Sequence, residues 1–365
     1  MKILIAPLDW GLGHTTRCLP LIAYLRSLGH EVVAAVSGAP ARLLTDNFPG
    51  IAVLPLEGYG IRYSKYKNAF ATRIIVQIPK ILRAIKSEHA WLVRQQDEHR
   101  FDLVISDNRY GLCHPGIPSV IMTHQLQILS GKGRLADLIL RKLHYPMLER
   151  FDACWVVDEA GADNLSGKLA HPAVLPANAQ YIGLLSQFMD RTVPANAHTE
   201  GKEILVLLSG PEPMRGQLEA ILLQQAAQLQ HYPFVFVAGN PLGSIPGTLP
   251  AHITYHTHLP APQLLDALQR ASLVLCRSGY STLMDLAVLG KKALLIPTPG
   301  QTEQEYLAAH LNRLGYYLVR DQPAVQLSAD IAAALAANAF RHSSGLQPMQ
   351  SVVNALLDKV TAART

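Results

Sequence analysis

A histidine stands directly behind a glycine-bearing loop, Gly11-Leu12-Gly13-His14, just after the apolar run Lys2–Pro7. Glycines let main chain approach a ligand, and the start of a following helix favours an anion. An imidazole placed there can take a proton near neutral pH, which makes His14 a candidate general base. The plainer role for the same residue is to cap the helix. A nicotinamide dinucleotide fits poorly. The third glycine of that fingerprint would fall near position 16, which is Thr, and Ser37 and Gly38 stand where a ribose-binding acid belongs.

A second loop, Cys276-Arg277-Ser278-Gly279-Tyr280-Ser281-Thr282, also reads as strand passing into helix. Hydroxyls and main-chain N–H groups make an anion cradle there without a Walker lysine. Asp285 follows one helical turn on, on the face of Ser281 and Thr282, where a carboxylate can accept from two ribose hydroxyls; alternatively it favours the helix N-terminal dipole. A third loop, Pro297-Thr-Pro-Gly-Gln301-Thr-Glu303-Gln304-Glu305-Tyr306, gathers donors and acceptors suited to sugar hydroxyls, or else forms a capping box from Thr302 and Glu305. Asp107 and His124, each just after a short apolar run, rival His14 as the base; the bland alternative is an Asp–His pair holding two loops together. No Asp-x-Asp occurs in the chain.

These loops need strands and helices to hold them. Buried-strand runs are expected at Lys2–Pro7, Glu31–Val36, Ile51–Leu54, Leu103–Ser106, Ser119–Met122, Ala153–Val157 and Gln180–Gly183. Helical patterns fall at Thr16–Leu28, Ile74–Arg94 and Leu135–Leu148. Residues 186–202 lose all periodicity and read as a linker. The pattern then restarts, with strands at Glu203–Leu208, Phe234–Ala238, Ile253–Tyr255, Leu273–Cys276 and Ala293–Pro297. Helices are expected at Leu218–Leu229, Pro262–Gln269, Ser281–Leu289, Gln304–Leu314 and 348–362. This is α/β throughout: a first domain over 1–185, a second over 203–345, and a last helix within 346–365 that packs back across their junction. Open parallel sheets bind ligands at the C-terminal ends of their strands, so two such edges facing across a cleft can hold two substrates.

Composition narrows the class. The 365 residues are 49% hydrophobic and 16% charged, enough for full cores and too little charge for a disordered chain. The net charge of +5 permits an anionic partner but carries no basic stripe or RNA-binding signature, so nucleic acid is not expected. Cys18, Cys113, Cys154 and Cys276 form no CxxC pair and read as reduced thiols, neither a disulfide framework nor a zinc site. The opening apolar run is too short for a signal peptide, and no run approaches the length of a membrane span. A cytoplasmic enzyme is expected.

The run Arg277-Ser-Gly-Tyr-Ser-Thr-Leu-Met-Asp285, with Gly290, Ile296-Pro and Gln301-Thr-Glu-Gln-Glu-Tyr306, resembles the C-terminal half of the family 28 glycosyltransferases. Gly11-x-Gly13-His14 resembles that family's N-terminal glycine loop. The familiar relatives are the peptidoglycan N-acetylglucosaminyltransferases acting on a lipid-linked muramoyl peptide. The resemblance implies a GT-B architecture of two facing Rossmann-like domains and inverting transfer without metal or resident cofactor, with a UDP-sugar as donor substrate. It gives Asp285 the acidic ribose contact, where the family usually has the longer Glu. Ser278, Gly279, Ser281 and Thr282 match the phosphate cradle, which Arg277 either assists or merely supports. Gln304 matches a donor-sugar contact, and Glu303 and Gln301 border it. Ser209 and Gly210 match a diphosphate loop, here Ser-Gly-Pro-Glu-Pro rather than a glycine run. His258 and Leu259 occupy the segment beside the base. The acceptor is lipid-linked or a glycan. Other readings of the same architecture are a UDP-N-acetylglucosamine 2-epimerase and a catalytically silent nucleotide-sugar binder.

A lipid-linked acceptor would bring the first domain to a membrane surface. Along Ile74–Arg94, apolar residues recur at helical spacing, with Lys80, Arg83 and Lys86 on the opposite flank. Either this helix lies on anionic lipid, or its apolar face packs on its own sheet and only the cations face outward. Residues 59–67 mix three tyrosines with three cations, a grip for phosphate or sugar or an ordinary solvated loop.

Overall fold

The computed structural model describes residues 1–9, 11–59, 70–131, 133–189, 202–241, 243–342 and 344–363, without side chains over 70–78. The aromatic and basic stretch 60–67, most of the expected linker (190–201) and the side chains of 74–78 in the expected helix lie outside the described residues. The described part forms two compact units. The first takes 1–59, 71–189 and 344–363, the second 202–342.

In the first unit the chain runs β1 (Lys2–Pro7), α1 (Gly13–Ser27), β2 (Glu31–Ala35), α2 (Gly38–Asn47), β3 (Ala52–Leu54), α3 (Phe70–His99), β4 (Leu103–Asp107), β5 (Ser119–Thr123), α4 (Arg134–Leu148), β6 (Ala153–Val156) and β7 (Ala179–Tyr181). All seven strands are parallel, in the order β3-β2-β1-β4-β5-β6-β7. Ile3 to Ala6 and Leu103 to Ile105 are sealed from solvent, as strands covered by helices on both faces must be. The chain starts in the middle of the sheet, builds to one edge, and returns through α3 to build the other. The order therefore reverses between β1 and β4, and a crevice opens beyond their C-terminal ends. His14 follows β1, and Asp107 ends β4.

The second unit continues with β8 (Glu203–Leu207), α5 (Met214–Ala226), β9 (Phe234–Val237), β10 (Ile253–His256), α6 (Ala261–Arg270), β11 (Ala271–Cys276), α7 (Tyr280–Leu289), β12 (Ala293–Leu295), α8 (Thr302–Arg313), β13 (Leu318–Val319) and α9 (Leu327–Ala336). Its six parallel strands lie in the order β10-β9-β8-β11-β12-β13, so the same reversal falls between β8 and β11. Leu218 and Leu222 of α5 and Leu327 and Ile331 of α9 close one face of this sheet over Val206, Phe236 and Leu275. Finally α10 (Gln347–Ala362) joins the first unit. It buries Met349, Val353 and Leu357, and Asn354 accepts a hydrogen bond from Tyr24 at 2.8 Å.

One expectation changes and two alternatives are decided. The stretch expected to begin the linker, 186–189, is packed: Phe188 is fully buried and its N–H donates to the Ser186 hydroxyl at 3.1 Å. The capping box does not form, because α8 is N-capped by Gln301 without a side-chain bond and Glu305 reaches back to the Gly300 N–H at 2.9 Å. Over the described side chains of α3, part of the apolar stripe packs on its own sheet and Leu82 stays exposed. Ile85 and Leu92 are buried, while Lys80, Arg83 and Lys86 are exposed on the far side. Among the described residues, no helix is long and apolar enough to cross a membrane.

Candidate active site

Gly11 makes the turn out of β1 with φ +83° and donates to the Asp9 carbonyl, a conformation that a side chain would strain. The turn delivers His14 into the first coil of α1, and Arg17 follows one turn later on the same side. Across the crevice, Asn108 adopts a left-handed φ of +56°, bending the chain sharply after Asp107. Beneath this bend Arg109 is wholly buried. It donates to the Pro7 carbonyl at 2.9 Å, to the Glu57 carbonyl at 3.0 Å and to Glu88 of α3 at 3.0 Å. Glu88 also accepts from the Tyr59 hydroxyl and the Gly111 N–H. Burial pushes the Glu88 carboxyl upward, against the pull of Arg109. The ends of β1 and β4 are thus pinned to α3 from below.

His14, Asp107 and His124 come together, joined by Arg17. The Arg17 guanidinium spans both carboxylate oxygens of Asp107, with Nε 2.8 Å from Oδ2 and Nη2 on Oδ1. Its Nη1 lies 2.9 Å from His124 Nδ1. A guanidinium has only donors, so His124 Nδ1 accepts and its proton sits on Nε2. His14 Nδ1 is 3.0 Å from Asp107 Oδ2 and 2.9 Å from Arg17 Nη2. Nη2 carries two hydrogens, so beside its bond to Asp107 it can also donate to Nδ1; in the tautomer where Nδ1 instead donates to the carboxylate, the lone pair of His14 falls on Nε2. That tautomer is the one a general base needs.

Exposure separates the three candidates. The His14 side chain is 15% exposed and Asp107 is not exposed at all, while His124 is also buried. Burial would raise the Asp107 carboxyl, but Arg17 and His14 hold it down at about 2. Burial lowers His14 below its ordinary value; Asp107 pulls it up and Arg17 pushes it further down. The set therefore presents a neutral imidazole backed by a permanently ionised carboxylate. Arg17 is the member that the sequence did not disclose. The available signal was its spacing of three from His14, which puts both on one side of a helix.

On the second unit, loops after β8, β11 and β12 share the edge where the strand order reverses. Ser209 and Gly210 are exposed there, Gly210 with φ +99°. Gly239, after β9, packs so tightly that a Cβ would meet the Leu208 carbonyl oxygen at 2.3 Å. Arg277 is buried and ties the edge together. Nη1 donates to the carbonyls of Ile296 and Pro297 at 3.1 and 3.2 Å, and Nη2 to the Met214 carbonyl and Gln322 at 2.7 and 2.8 Å. Burial lowers it to about 10. These bonds make it a strut under three loops.

Ser278 is buried and donates to the Gln304 main-chain oxygen at 2.8 Å, and the Gln304 side chain accepts from the Thr298 N–H at 2.9 Å. The β11 and β12 loops are locked to each other by this exchange. Gly279 is the N-cap of α7, where no side chain caps the helix. Ser281, Thr282 and Asp285 form one half-buried stripe on α7, between the buried Leu283, Met284 and Leu286. A helix start lined by hydroxyls, with a carboxylate one turn on, matches a diphosphate joined to a ribose. Gln301 and Glu303 are half-buried at the start of α8. Beyond β10, His258 is exposed and Leu259 buried. Among the described residues, no group of three His, Cys, Asp or Glu is placed to hold a metal ion.

Residues 251–356 match the glycosyltransferase family 28 C-terminal domain. The chain is 25% identical over 350 residues to a glycosyltransferase of Methanosarcina acetivorans, covering 88% of this chain and 85% of that one. It is 26% identical over 332 residues to the UDP-N-acetylglucosamine–N-acetylmuramyl-(pentapeptide) pyrophosphoryl-undecaprenol N-acetylglucosamine transferase of Ruminiclostridium cellulolyticum, covering 86% and 85%. In fold it is similar to the spinosyn rhamnosyltransferase SpnG complexed with thymidine diphosphate, with a TM-score of 0.63, 16% identity and coverage of 99% and 96%. Two parallel sheets that share the 3-2-1-4-5-6 order, the first with a seventh strand, and this agreement lead to one assignment: the chain is a glycosyltransferase of GT-B fold whose residues 251–356 match the family 28 C-terminal domain.

Proposed function

We propose that the enzyme transfers a sugar, an N-acetylhexosamine, from a UDP-sugar to an acceptor hydroxyl with inversion and without a metal ion. The observation that carries this reading is the His14–Asp107 pair at the strand reversal of the first unit, in which a proton donated from Nδ1 to the carboxylate frees Nε2 of the more open ring as acceptor. In the step, His14 Nε2 takes the acceptor hydroxyl proton as that oxygen bonds to the anomeric carbon. The bond from that carbon to the diphosphate breaks on the opposite face, and the diphosphate leaves with the electron pair. Asp107 stays ionised and steadies the imidazolium.

On the donor side, Asp285 receives the ribose hydroxyls. The start of α7 with Ser281 and Thr282 meets the diphosphate, whose developing charge needs donors fixed in advance. Gln304 and Glu303 meet the sugar. Uracil, the N-acetylated sugar and a lipid-linked acceptor are proposed from the activity named for the Ruminiclostridium relative, and work at the cytoplasmic face of the membrane is proposed with them. The test is a calorimetric screen of nucleoside diphosphates, followed by turnover with the best donor. His14→Ala should lower turnover about 10²–10⁴-fold while donor affinity is kept. Unchanged turnover would remove His14 from the mechanism.

A further inference from the structure

Arg215 lies in the first turn of α5 and is buried, like Arg277, but it ties different parts of the second unit together. Its Nε donates to Glu212 Oε1 at 2.7 Å, and its Nη1 donates to Glu219 Oε2 at 2.7 Å and to the Ala238 carbonyl at 3.2 Å. Glu212 Oε2 accepts from the Gly216 N–H at 3.1 Å, and Glu219 Oε1 accepts from the Tyr255 hydroxyl. One guanidinium therefore joins the loop after β8 to the end of β9 and, through Glu219, to β10. Ala238 precedes Gly239, which packs against Leu208 just before the same loop. The segment Ser209–Pro213 is thus held from both sides.

The charges in that segment show what the clamp is for. In Ser209-Gly-Pro-Glu-Pro213 the two prolines have no N–H, so main-chain donors are left only on Ser209, Gly210 and Glu212. An acid stands among these few donors. Glu212 comes two residues after Gly210, and its side chain is 55% exposed. A bare carboxylate there would repel a diphosphate laid on Ser209 and Gly210. Arg215 meets it with both Nε and Nη2. Burial opposes the Arg215 charge, but its bonds to Glu219 and Glu212 hold it above its ordinary value, so the compensation is permanent.

We propose that Arg215 is a positioning residue for the donor: it neutralises Glu212 and fixes the loop after β8 so that Ser209 and Gly210 can meet the diphosphate. It acts through Glu212 and Ala238. The inference rests on the proposed UDP-sugar donor and deepens it, adding a second support for the diphosphate to the one at the start of α7.

The test is calorimetric titration of the full chain with UDP and with uridine, for wild type, Arg215→Met, Glu212→Gln and the double variant. Arg215→Met should weaken UDP about tenfold, the effect of one uncompensated charge near the diphosphate, and change uridine little. Adding Glu212→Gln should restore most of that loss, because the pair is then removed together. Glu212→Gln alone, at an exposed position, should bind UDP about threefold more tightly. Unchanged UDP affinity in Arg215→Met would overturn the inference. So would a loss that Glu212→Gln fails to restore, which marks a purely structural strut. If Arg215→Met does not fold, Glu212→Gln decides alone: UDP binding equal to wild type or weaker refutes the proposal. Asp285→Ala on the same footing separates the two readings. UDP weakened by that change but not by Arg215→Met removes Arg215 and leaves the transferase proposal standing, whereas a wild type that binds no UDP refutes both.

Discussion

Arg17 holds Asp107 by both carboxylate oxygens, and neither side chain is more than 1% exposed. A buried ion pair costs much desolvation, and removing one partner leaves the other charge uncompensated. Asp107→Asn should therefore lower stability by about 3–5 kcal/mol, read from urea unfolding. An amide retains an acceptor oxygen for one donor but cannot balance the guanidinium charge. If stability is unchanged, the ion pair does not form in solution.

The acid side of the pH profile follows from the same group. His14 titrates below its ordinary value, chiefly through burial, so it is neutral at pH 7. The kcat/KM should be flat near neutrality and fall with decreasing pH only below 6.5. Stability moves in the same direction. A histidine kept neutral by folding contributes fully above its unfolded value near 6.5 and loses that contribution as pH falls through its lower folded value. Asp107, ordinary value 3.8 and folded value about 2, contributes above 3.8 and loses that contribution as pH falls towards 2. Acid unfolding monitored by circular dichroism should show stability declining over these two windows. Stability that rises on acidification from pH 6.5 would contradict the His14 assignment, and stability unchanged between pH 3.8 and 2 would contradict that of Asp107.

Donor affinity should depend on Asp285. Replacing it with Ala removes a charge-assisted hydrogen bond, and UDP should bind about 1–3 kcal/mol more weakly by calorimetry. Its half-buried place on α7 makes the substitution mild for the fold. An unchanged dissociation constant would put the ribose elsewhere.

Arg277→Met tests the strut. The variant keeps the volume but leaves the carbonyls of Met214, Ile296 and Pro297 without their donor. Stability should drop by about 3 kcal/mol or more, roughly 6–12 °C in Tm. A variant of wild-type Tm that has lost only UDP affinity would instead make Arg277 a direct diphosphate ligand.

Much of this arrangement was legible in the residues. The apolar runs at Lys2–Pro7 and Glu203–Leu207 are long enough to declare buried parallel strands, and the loops behind them contain candidate site residues. Other features left little trace. The two-residue β13 is too short for any period, and α2 buries only Pro40 and Leu44. Arg17 and Arg277 looked like ordinary cations because their burial depends on partners 90 and 45 residues away, Asp107 and Gln322. Periodicity also shows that a helix has an apolar stripe without showing which way it faces. On α3, Ile85 and Leu92 are buried while Leu82 of the same stripe stays exposed.

The return of α10 to the first unit has a consequence for biosynthesis. Tyr24 finds Asn354 only after the whole second unit has been translated. At roughly 5–20 residues per second, the ribosome needs on the order of 10–30 s to make the intervening stretch. During that interval the nascent first sheet is complete while the surface that Met349, Val353 and Leu357 will cover is still bare. A chaperone that recognises apolar patches has its opportunity there, and the last helix closes it.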